Sequence, residues 1–348
     1  MTGDGLRPAV SLTAADLGAV PGEVVARLQE ARTVLTVCHE NPEADALGSA
    51  LGLALALETL GIRATPVCAD AVPPLYRFMP EIGRFRTAPD PELDYDLIVV
   101  GDCGELERVG PILAAHASLF DRVPILNIDH HKSNGGFGAL DWVDPDAAAT
   151  CEMVTLLVRA LGVPLDAVDG AIAGSLLAGL VMDTATFQHP NTTPRTLRVA
   201  SELLAAGAPL AATSRLLYRT KPDRQLRLFG RVLARLASDV DGLVVWSDLT
   251  AEDHAVTGTV ASDSEGLIDL LSQAADAEIA LLFKEQGAET RLSIRTRDGG
   301  VDATELAGAF GGGGHARASG ATVGLPLERA HAPVLERARV LVRALRRP

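Results

Sequence analysis

Four strand-length runs separated by helical patterns limit the folds open to this chain more than any other feature. They cover residues 33–37, 62–67, 97–100 and 125–128, and they consist largely of β-branched and apolar residues. Strands that are apolar on both faces are typical of a parallel sheet covered on two sides. Helical patterns at 46–60, 147–161 and 167–182 would provide that cover. We therefore predict an N-terminal α/β domain with helices on both faces of a parallel sheet.

The length of the chain predicts a second domain, because 348 residues exceed what one hydrophobic core usually organises. After a more polar stretch, a helical pattern at 225–237 precedes strand patterns at 243–246, 279–283 and 291–296. A last helix is predicted at 333–346, with Pro333 suited to its first turn. We predict a catalytic domain at 1–206, a linker at 207–224 and a smaller α/β domain at 225–348.

The net charge limits the classes of partner that the protein can bind, and the cysteines indicate its cellular compartment. A formal net charge of -14 argues against capture of long nucleic acid, which requires a basic face. A small anionic substrate still fits if cations and a local arginine supply positive charge. The four cysteines form no CxxC pair, and no run resembles a signal peptide or a membrane span. We expect a cytoplasmic protein with no membrane contact.

Acidic and histidine side chains follow three of the predicted strands. The residues are His39, Glu43 and Asp45 after the first strand, Asp102 after the third, and Asp129, His130 and His131 after the fourth. The carboxyl ends of parallel strands meet at one edge of a sheet, so these segments should converge on a single crevice. Asp183, at the end of a predicted helix, is a candidate fourth contributor.

Each of these segments has a simpler explanation when taken alone. The Asp-His-His triplet is more often a surface loop, His39 could be a hydrogen-bonded histidine, and Asp102 could cap a helix. Their joint placement favours metal binding, because clustered carboxylates repel one another unless cations neutralise them. Carboxylates and imidazoles without cysteine favour manganese or a similar ion over structural zinc. For phosphate chemistry, two ions about 3.5–4 Å apart with a bridging carboxylate and hydroxide are expected.

Three motifs resemble those of the DHH phosphoesterases that carry a DHHA1 domain. Residues 39–49 (HENPEADALGS) resemble the first motif, and residues 129–134 (DHHKSN) resemble the signature motif. Residues 301–320, which contain GGGGHARASG, resemble the glycine-rich DHHA1 motif. Order and spacing agree over nearly the whole chain, and the similarity is greatest to the short-oligoribonucleotide exonucleases. Members of that subfamily also dephosphorylate 3'-phosphoadenosine 5'-phosphate, and some cleave cyclic dinucleotides.

The resemblance implies two divalent cations, with manganese expected and magnesium or cobalt as alternatives. The first would be held by His39, Glu43 and Asp102. The second would be held by Asp45, Asp102, His130 and Asp183. A hydroxide bridging the ions would attack phosphorus, His131 would face the scissile phosphate, and Asp129 would orient a neighbouring imidazole.

Glu43 departs from the family pattern, which usually has aspartate at this position. Glutamate keeps the charge and the oxygen donors, but its extra methylene moves them outward by about 1.3–1.5 Å. Our hypothesis is that the first cation is still bound, though more loosely, and the alternative is that the site is lost.

The glycine-rich stretch predicts a binding site in the second domain. Successive glycine amides can form an anion-binding nest. The residues concerned are Gly312, Gly313 and Gly314, with His315 and Arg295 suited to hold a terminal phosphate. From the residues alone, a tightly packed or flexible glycine hinge is the better interpretation; the resemblance implies recognition of the nucleotide end.

The predicted activity is hydrolysis of short oligoribonucleotides such as pApA to nucleoside monophosphates. Removal of a phosphate from 3'-phosphoadenosine 5'-phosphate is predicted as well, and cyclic di-AMP is a further candidate substrate. One alternative is an inorganic pyrophosphatase, against which the glycine-rich segment 311–315 argues. The other is a non-catalytic nucleotide sensor in which Glu43 has weakened the metal site. A homodimer is suggested by the resemblance only.

Overall fold

A five-stranded parallel sheet forms the centre of the first of two units in the computed structural model, which describes residues 11–345. Its strands are β1 (Thr33–Val37), β2 (Arg63–Val67), β3 (Leu97–Gly101), β4 (Ile125–Asp129) and β5 (Leu140–Val143). They lie in the order β2-β1-β3-β4-β5, so the connections change direction between β1 and β3. In open sheets of this order, ligands bind beyond the carboxyl ends of the two strands at that point.

Helices cover both faces of this sheet, as the apolar strands require. They are α1 (Ala14–Leu17), α2 (Gly22–Glu30), α3 (Ala44–Thr59), α4 (Pro111–Ala115), α5 (Ala117–Arg122), α6 (Thr150–Ala160), α7 (Ala171–Asp183), α8 (Pro194–Ala205) and α9 (Leu210–Tyr218). Two clusters of buried apolar side chains, one on each face, form the core. Helix α3 is buried on every side from Ala44 to Leu57, which explains why its sequence is apolar all round.

Glycines let α3 and α7 approach one another closely. A Cβ atom added at Gly52 would lie 2.8 Å from the Leu176 side chain, and one at Gly179 would lie 2.6 Å from Asp45 Oδ1. Neither position has room for a methyl group. Asp45, near the start of α3, is therefore fixed against the backbone of α7.

The second unit is built on a six-stranded mixed sheet in the order β10-β11-β9-β8-β7-β6. Its strands are β6 (Ala237–Asp239), β7 (Val244–Leu249), β8 (Ile279–Gln286), β9 (Glu289–Thr296), β10 (Gly313–His315) and β11 (Ala318–Val323). Its helices are α10 (Asp223–Leu233), α11 (Ala251–Thr257), α12 (Leu267–Leu271), α13 (Ala303–Gly308) and α14 (Leu327–Leu345). Alternate β8 residues enter separate cores, with Leu281 packing beside α13 and α14 and Leu282 beside α10 and α12.

The structure confirms the predicted α/β class and differs from the sequence-based prediction in local details. The last helix begins at Leu327 and not at residue 333, so Pro333 lies inside it. Upstream of the proline, Ala330 is buried on the same face of the helix as Val334, so the helix packs on the core from its first turn. The predicted linker at 207–224 contains α9, and the units divide within it, between Thr220 and Lys221. Among residues 11–345, no helix combines the length and apolar character needed to span a bilayer.

Candidate metal centre

The sheet brings the predicted acidic and histidine residues together at one edge. His39 follows β1, Asp102 follows β3 directly, and His130 follows β4, so three adjacent parallel strands deliver them. Glu43 is the N-cap of α3 and Asp45 lies in its first turn. Asp183 is the last residue of α7. Asp102 has a left-handed backbone, with φ of 57°, a conformation that aspartate tolerates better than most residues.

The candidate metal ligands form three groups of side chains. Within each group, the ligand atoms lie within 4.8 Å of one another. The groups are His39, Glu43 and Asp102; Asp45, His130 and Asp183; and Asp102, His130 and His131. Asp102 connects the groups, because its Oδ2 lies 3.7 Å from His39 Nε2 and its Oδ1 lies 3.5 Å from His130 Nε2. The six predicted ligands are therefore neighbours, and their role as ligands stays a prediction.

Both of these histidines are oriented by backbone carbonyls. His39 Nδ1 lies 2.7 Å from the Glu40 carbonyl oxygen, and His130 Nδ1 lies 3.3 Å from that of Ala147. A carbonyl can only accept, so Nδ1 donates in each case and Nε2 faces the carboxylates. Metal-bound histidines are commonly oriented in this way by a bond from the second ring nitrogen.

Fully buried Asp129 orients His131. Its Oδ1 lies 2.7 Å from His131 Nδ1, and its Oδ2 accepts a hydrogen bond of 2.7 Å from the side-chain amide of Asn134. Burial opposes ionisation of Asp129, but the bonds from His131 and Asn134 outweigh it and lower its pKa. The Asp129 carboxylate in turn raises the pKa of His131. Because Asp129 bonds to Nδ1, Nε2 is the ring nitrogen of His131 that is left for another partner.

The charges of the cluster fit divalent cations. Burial, together with Asp102 and Asp183, raises the pKa of Asp45 well above its ordinary value. Burial also opposes protonation of His39 and His130, but the neighbouring carboxylates outweigh it and raise their pKa values to about 10 and about 12. Imidazolium charges thus compensate buried carboxylates where no cation does so. Oxygen and imidazole donors without cysteine suit manganese or magnesium.

The Glu43 side chain takes up its extra methylene by folding back onto α3. Its Oε1 accepts the Ala46 amide at 3.0 Å and lies 3.7 Å from His39 Nε2. One carboxylate oxygen therefore both caps the helix and faces the cluster. The effect of this arrangement on cation affinity stays a prediction.

Part of the predicted substrate site lines a cavity of about 400 Å³ in the second unit. Arg295 and Gly313 line this cavity, together with Lys284, Arg291 and Ser319. Arg295 Nε donates to Asp269 Oδ1 at 2.9 Å, and Asp269 also lines the cavity. The lining contains more cationic than anionic side chains, although the chain as a whole is acidic.

The glycine run forms a hairpin, and two of its amides are already bonded. Gly311 donates to the Gly308 carbonyl at 3.2 Å, and Gly312 donates to that of Ala307 at 2.9 Å. A Cβ atom at Gly314, whose φ is 142°, would lie 2.6 Å from the Ala318 carbonyl oxygen. Close packing therefore accounts for Gly312 and Gly314, whereas added Cβ atoms at Gly311 and Gly313 would meet nothing within 4 Å. The anion-binding role of the run stays a prediction. Exposed His315 ends the short strand β10.

Sequence reasoning missed several residues that the structure places in these sites. Lys284 is half-buried in the cavity, and burial together with Arg291 and Arg295 lowers its pKa. In the sequence, the feature that could have pointed to Lys284 is its position directly after the apolar run 279–283. Thr150, which bonds to Asp102, gave no signal in the sequence. Asn134, which bonds to Asp129, lies in the DHHKSN motif, but no role was predicted for it.

Comparison with known proteins agrees with this geometry. The DHH family N-terminal domain matches residues 33–180, and the DHHA1 domain matches residues 254–339. A bifunctional oligoribonuclease and PAP phosphatase, NrnA of Thermus thermophilus, is 38% identical over 304 residues, which cover 86% of this chain and 87% of the relative. The Bacillus subtilis protein of that name is 27% identical, over 84% of this chain and 89% of the relative.

A solved structure has a similar fold over nearly the whole chain. It is the crystal structure of an exopolyphosphatase-related protein from Bacteroides fragilis, with a TM-score of 0.80 and 25% sequence identity. The match covers 94% of this chain and 97% of that one, so both units are included.

Proposed function

The chain belongs to the DHH family of phosphoesterases and carries a DHHA1 domain, and from this we propose that it hydrolyses short oligoribonucleotides and 3'-phosphoadenosine 5'-phosphate. The products would be nucleoside monophosphates and, from the second substrate, AMP and phosphate. The observation that carries the proposal is the shared position of Asp102 between two groups of ligand atoms. Activity on these substrates is named for the relatives of Thermus thermophilus and Bacillus subtilis.

We propose that the cluster holds two divalent cations, of which manganese is the expected species. One would be held by His39, Glu43 and Asp102. The other would be held by Asp45, Asp102, His130 and Asp183. Divalent ions in such a site polarise phosphoryl oxygens and lower the pKa of bound water.

The role of His131 is to act on the substrate through Nε2. The bond from Nδ1 to buried Asp129 stabilises the imidazolium form, as a carboxylate behind a catalytic histidine does elsewhere. A positively charged donor at Nε2 stabilises the negative charge that develops on phosphate in the transition state. The same atom can protonate the leaving oxygen.

The cavity of the second unit is suited to an anionic group of the substrate. Lys284, Arg291 and Arg295 line one surface of β8 and β9 and supply the positive charge. Planar guanidinium groups bind phosphate with paired hydrogen bonds, which lysine cannot do. We propose that these residues recognise a phosphate of the nucleotide, whereas hydrolysis takes place at the cluster of the first unit.

The experiment is an assay of the purified, metal-stripped protein with and without manganese. Its substrates are pApA, 3'-phosphoadenosine 5'-phosphate, cyclic di-AMP and pyrophosphate, and released nucleotide and phosphate are quantified. We expect AMP from the first two substrates only when manganese is present. The Asp102→Asn protein, prepared in parallel, controls for a contaminating enzyme and should release none.

The other outcomes separate the alternatives. Phosphate from pyrophosphate without AMP from pApA would identify a pyrophosphatase. Saturable nucleotide binding without manganese-dependent turnover would identify a sensor. Faster release of product from cyclic di-AMP than from pApA would make the cyclic dinucleotide the preferred substrate.

A further inference from the structure

Residues 147–151, here called the clamp segment, contact three of the proposed ligands. The Thr150 and Cys151 amides donate to Asp45 Oδ2 and Oδ1, at 2.6 and 2.8 Å. The Ala147 carbonyl accepts from His130 Nδ1. Backbone atoms therefore fix both oxygens of one carboxylate and the ring of one histidine. These contacts depend on the path of the chain and not on the identity of side chains.

One side chain of the clamp segment bonds to Asp102. Fully buried Thr150 donates its hydroxyl to Asp102 Oδ1 at 3.0 Å. Oδ1 is the oxygen that faces His130, whereas Oδ2 faces His39. The last torsion of an aspartate is soft, so a carboxylate without such a bond can rotate and exchange its two oxygens.

We propose that Thr150 is a positioning residue that holds the Asp102 carboxylate in one rotation, so that each oxygen serves one of the two cation sites. The inference rests on the proposed metal centre. The hydroxyl itself ligates no cation in this arrangement. Its loss would leave Asp102 able to favour one site at the expense of the other, and binding of the second cation would weaken.

A buried ionic network restrains the chain on either side of Thr150. Fully buried Glu152 accepts from Arg195 Nε at 2.5 Å, from the Thr196 hydroxyl at 2.7 Å and from the Ala148 amide at 3.3 Å. Arg195 also donates to Asp144 Oδ2 at 2.8 Å. A buried carboxylate that is fully paired in this way cannot move without leaving a charge uncompensated. The network bonds to Ala148 and Glu152, on either side of Thr150, and the Thr150 amide bonds to Asp45, so the position of the Thr150 hydroxyl is restrained.

The test measures manganese binding to the metal-stripped protein, by calorimetry and by electron paramagnetic resonance of the manganese ions. Thr150→Val removes the hydroxyl at nearly constant shape, and Thr150→Ser keeps it. Thr155→Val is the matched control, because Thr155 is also fully buried in α6 but donates to the Cys151 carbonyl and to no carboxylate. We expect binding about tenfold weaker in Thr150→Val, with loss of the signal of a coupled manganese pair. Thr150→Ser and Thr155→Val should bind like the wild type.

Wild-type affinity in Thr150→Val would overturn the inference, and so would an equal loss in Thr155→Val, which would indicate general loosening of α6. If the valine variant does not fold, Thr150→Ala is compared with Thr150→Ser, since these differ by the hydroxyl alone. Absence of manganese binding in the wild type would instead overturn the proposed metal centre.

Discussion

The Glu43 carboxylate both caps a helix and forms part of the candidate metal centre. Its Oε1 caps α3 and also faces His39. Aspartate is among the best N-cap residues, so Glu43→Asp should preserve the cap. We expect it to bind the first manganese ion about threefold more tightly, because its shorter side chain has less rotamer freedom to lose. Calorimetric titration of the metal-stripped protein measures this change.

Glu43→Gln serves as the control for that substitution, since it keeps the length of the side chain and removes the charge. It should bind the first ion more weakly than the wild type. Equal affinity of Glu43→Asp and the wild type would mean that side-chain length at this position is neutral.

Residues with distinctive chemistry could be found from the sequence, and residues that only support them could not. His39, Asp102 and His130 were identified because carboxylates and imidazoles at parallel strand ends are brought to one edge by the sheet. Thr150 acts on Asp102 across 48 positions of sequence, through a hydroxyl that could equally have faced solvent or its own helix. No local pattern distinguishes those outcomes.

Helices α3 and α7 pack closely at Gly179, so the position of Asp45 in the candidate site depends on this glycine. We expect Gly179→Ala to lower the free energy of unfolding by about 1–3 kcal/mol, because the new methyl group overlaps the Asp45 carboxylate and the Cys151 sulfur. Manganese affinity should fall as well. Urea denaturation and manganese titration measure the two effects.

Gly230 provides the comparison for Gly179. It lies within α10, where an added Cβ atom meets nothing within 4 Å. Gly230→Ala should therefore raise stability by about 0.5–1 kcal/mol through helix propensity alone. A Gly179→Ala protein that is as stable as Gly230→Ala would show that α3 and α7 separate at little cost.

Elements with a strong periodic pattern were predicted well, and short edge elements were not. The predicted strands at 33–37, 97–100 and 125–128 coincide with β1, β3 and β4. Strand β5 (Leu140–Val143) was missed, because four residues of mixed exposure are too few to carry a pattern. Strand β11 (Ala318–Val323) consists of small residues, and its place in the sheet is set by pairing with β9 and β10.

Each unit contains a buried carboxylate held by arginine, which links the stability of the whole molecule to pH. Asp16 in the first unit accepts from Arg198 at 2.7 and 2.8 Å, and those bonds hold its pKa well below the usual range. In the second unit, burial opposes ionisation of Asp253, but Arg235 and Arg231 outweigh it and lower its pKa. A carboxylate whose pKa is lower in the folded state stabilises the protein above its unfolded pKa of about 3.9.

We expect Asp16→Asn to lower the free energy of unfolding at pH 7 by about 1–3 kcal/mol, because Arg198 loses its charged partner. The difference from the wild type should shrink as the pH falls below about 4, because the Asp16 carboxyl of the unfolded chain then binds a proton, whereas the folded carboxylate, with its lowered pKa, stays ionised to lower pH. Urea denaturation between pH 3 and 7 measures this trend. Hydrogen exchange should locate the loss in the first unit for Asp16→Asn and in the second for Asp253→Asn.

Asp94→Asn is the control, since Asp94 is largely exposed and lies 3.5 Å from an exposed Arg122. It should change stability by less than about 0.5 kcal/mol at any pH. A pH-independent loss in Asp16→Asn would mean that packing, and not the ion pair, makes the contribution.

The division of the chain between Thr220 and Lys221 determines which parts of the protein recombination can exchange as a whole. All six proposed ligands and the clamp segment are encoded upstream of that point, and every cationic residue of the cavity is encoded downstream of it. Because each unit is one continuous stretch with cores of its own, a single recombination event exchanges a whole unit. Descendants of one ancestral gene can therefore inherit an unaltered hydrolytic half while acquiring a new preference for the molecule it cleaves.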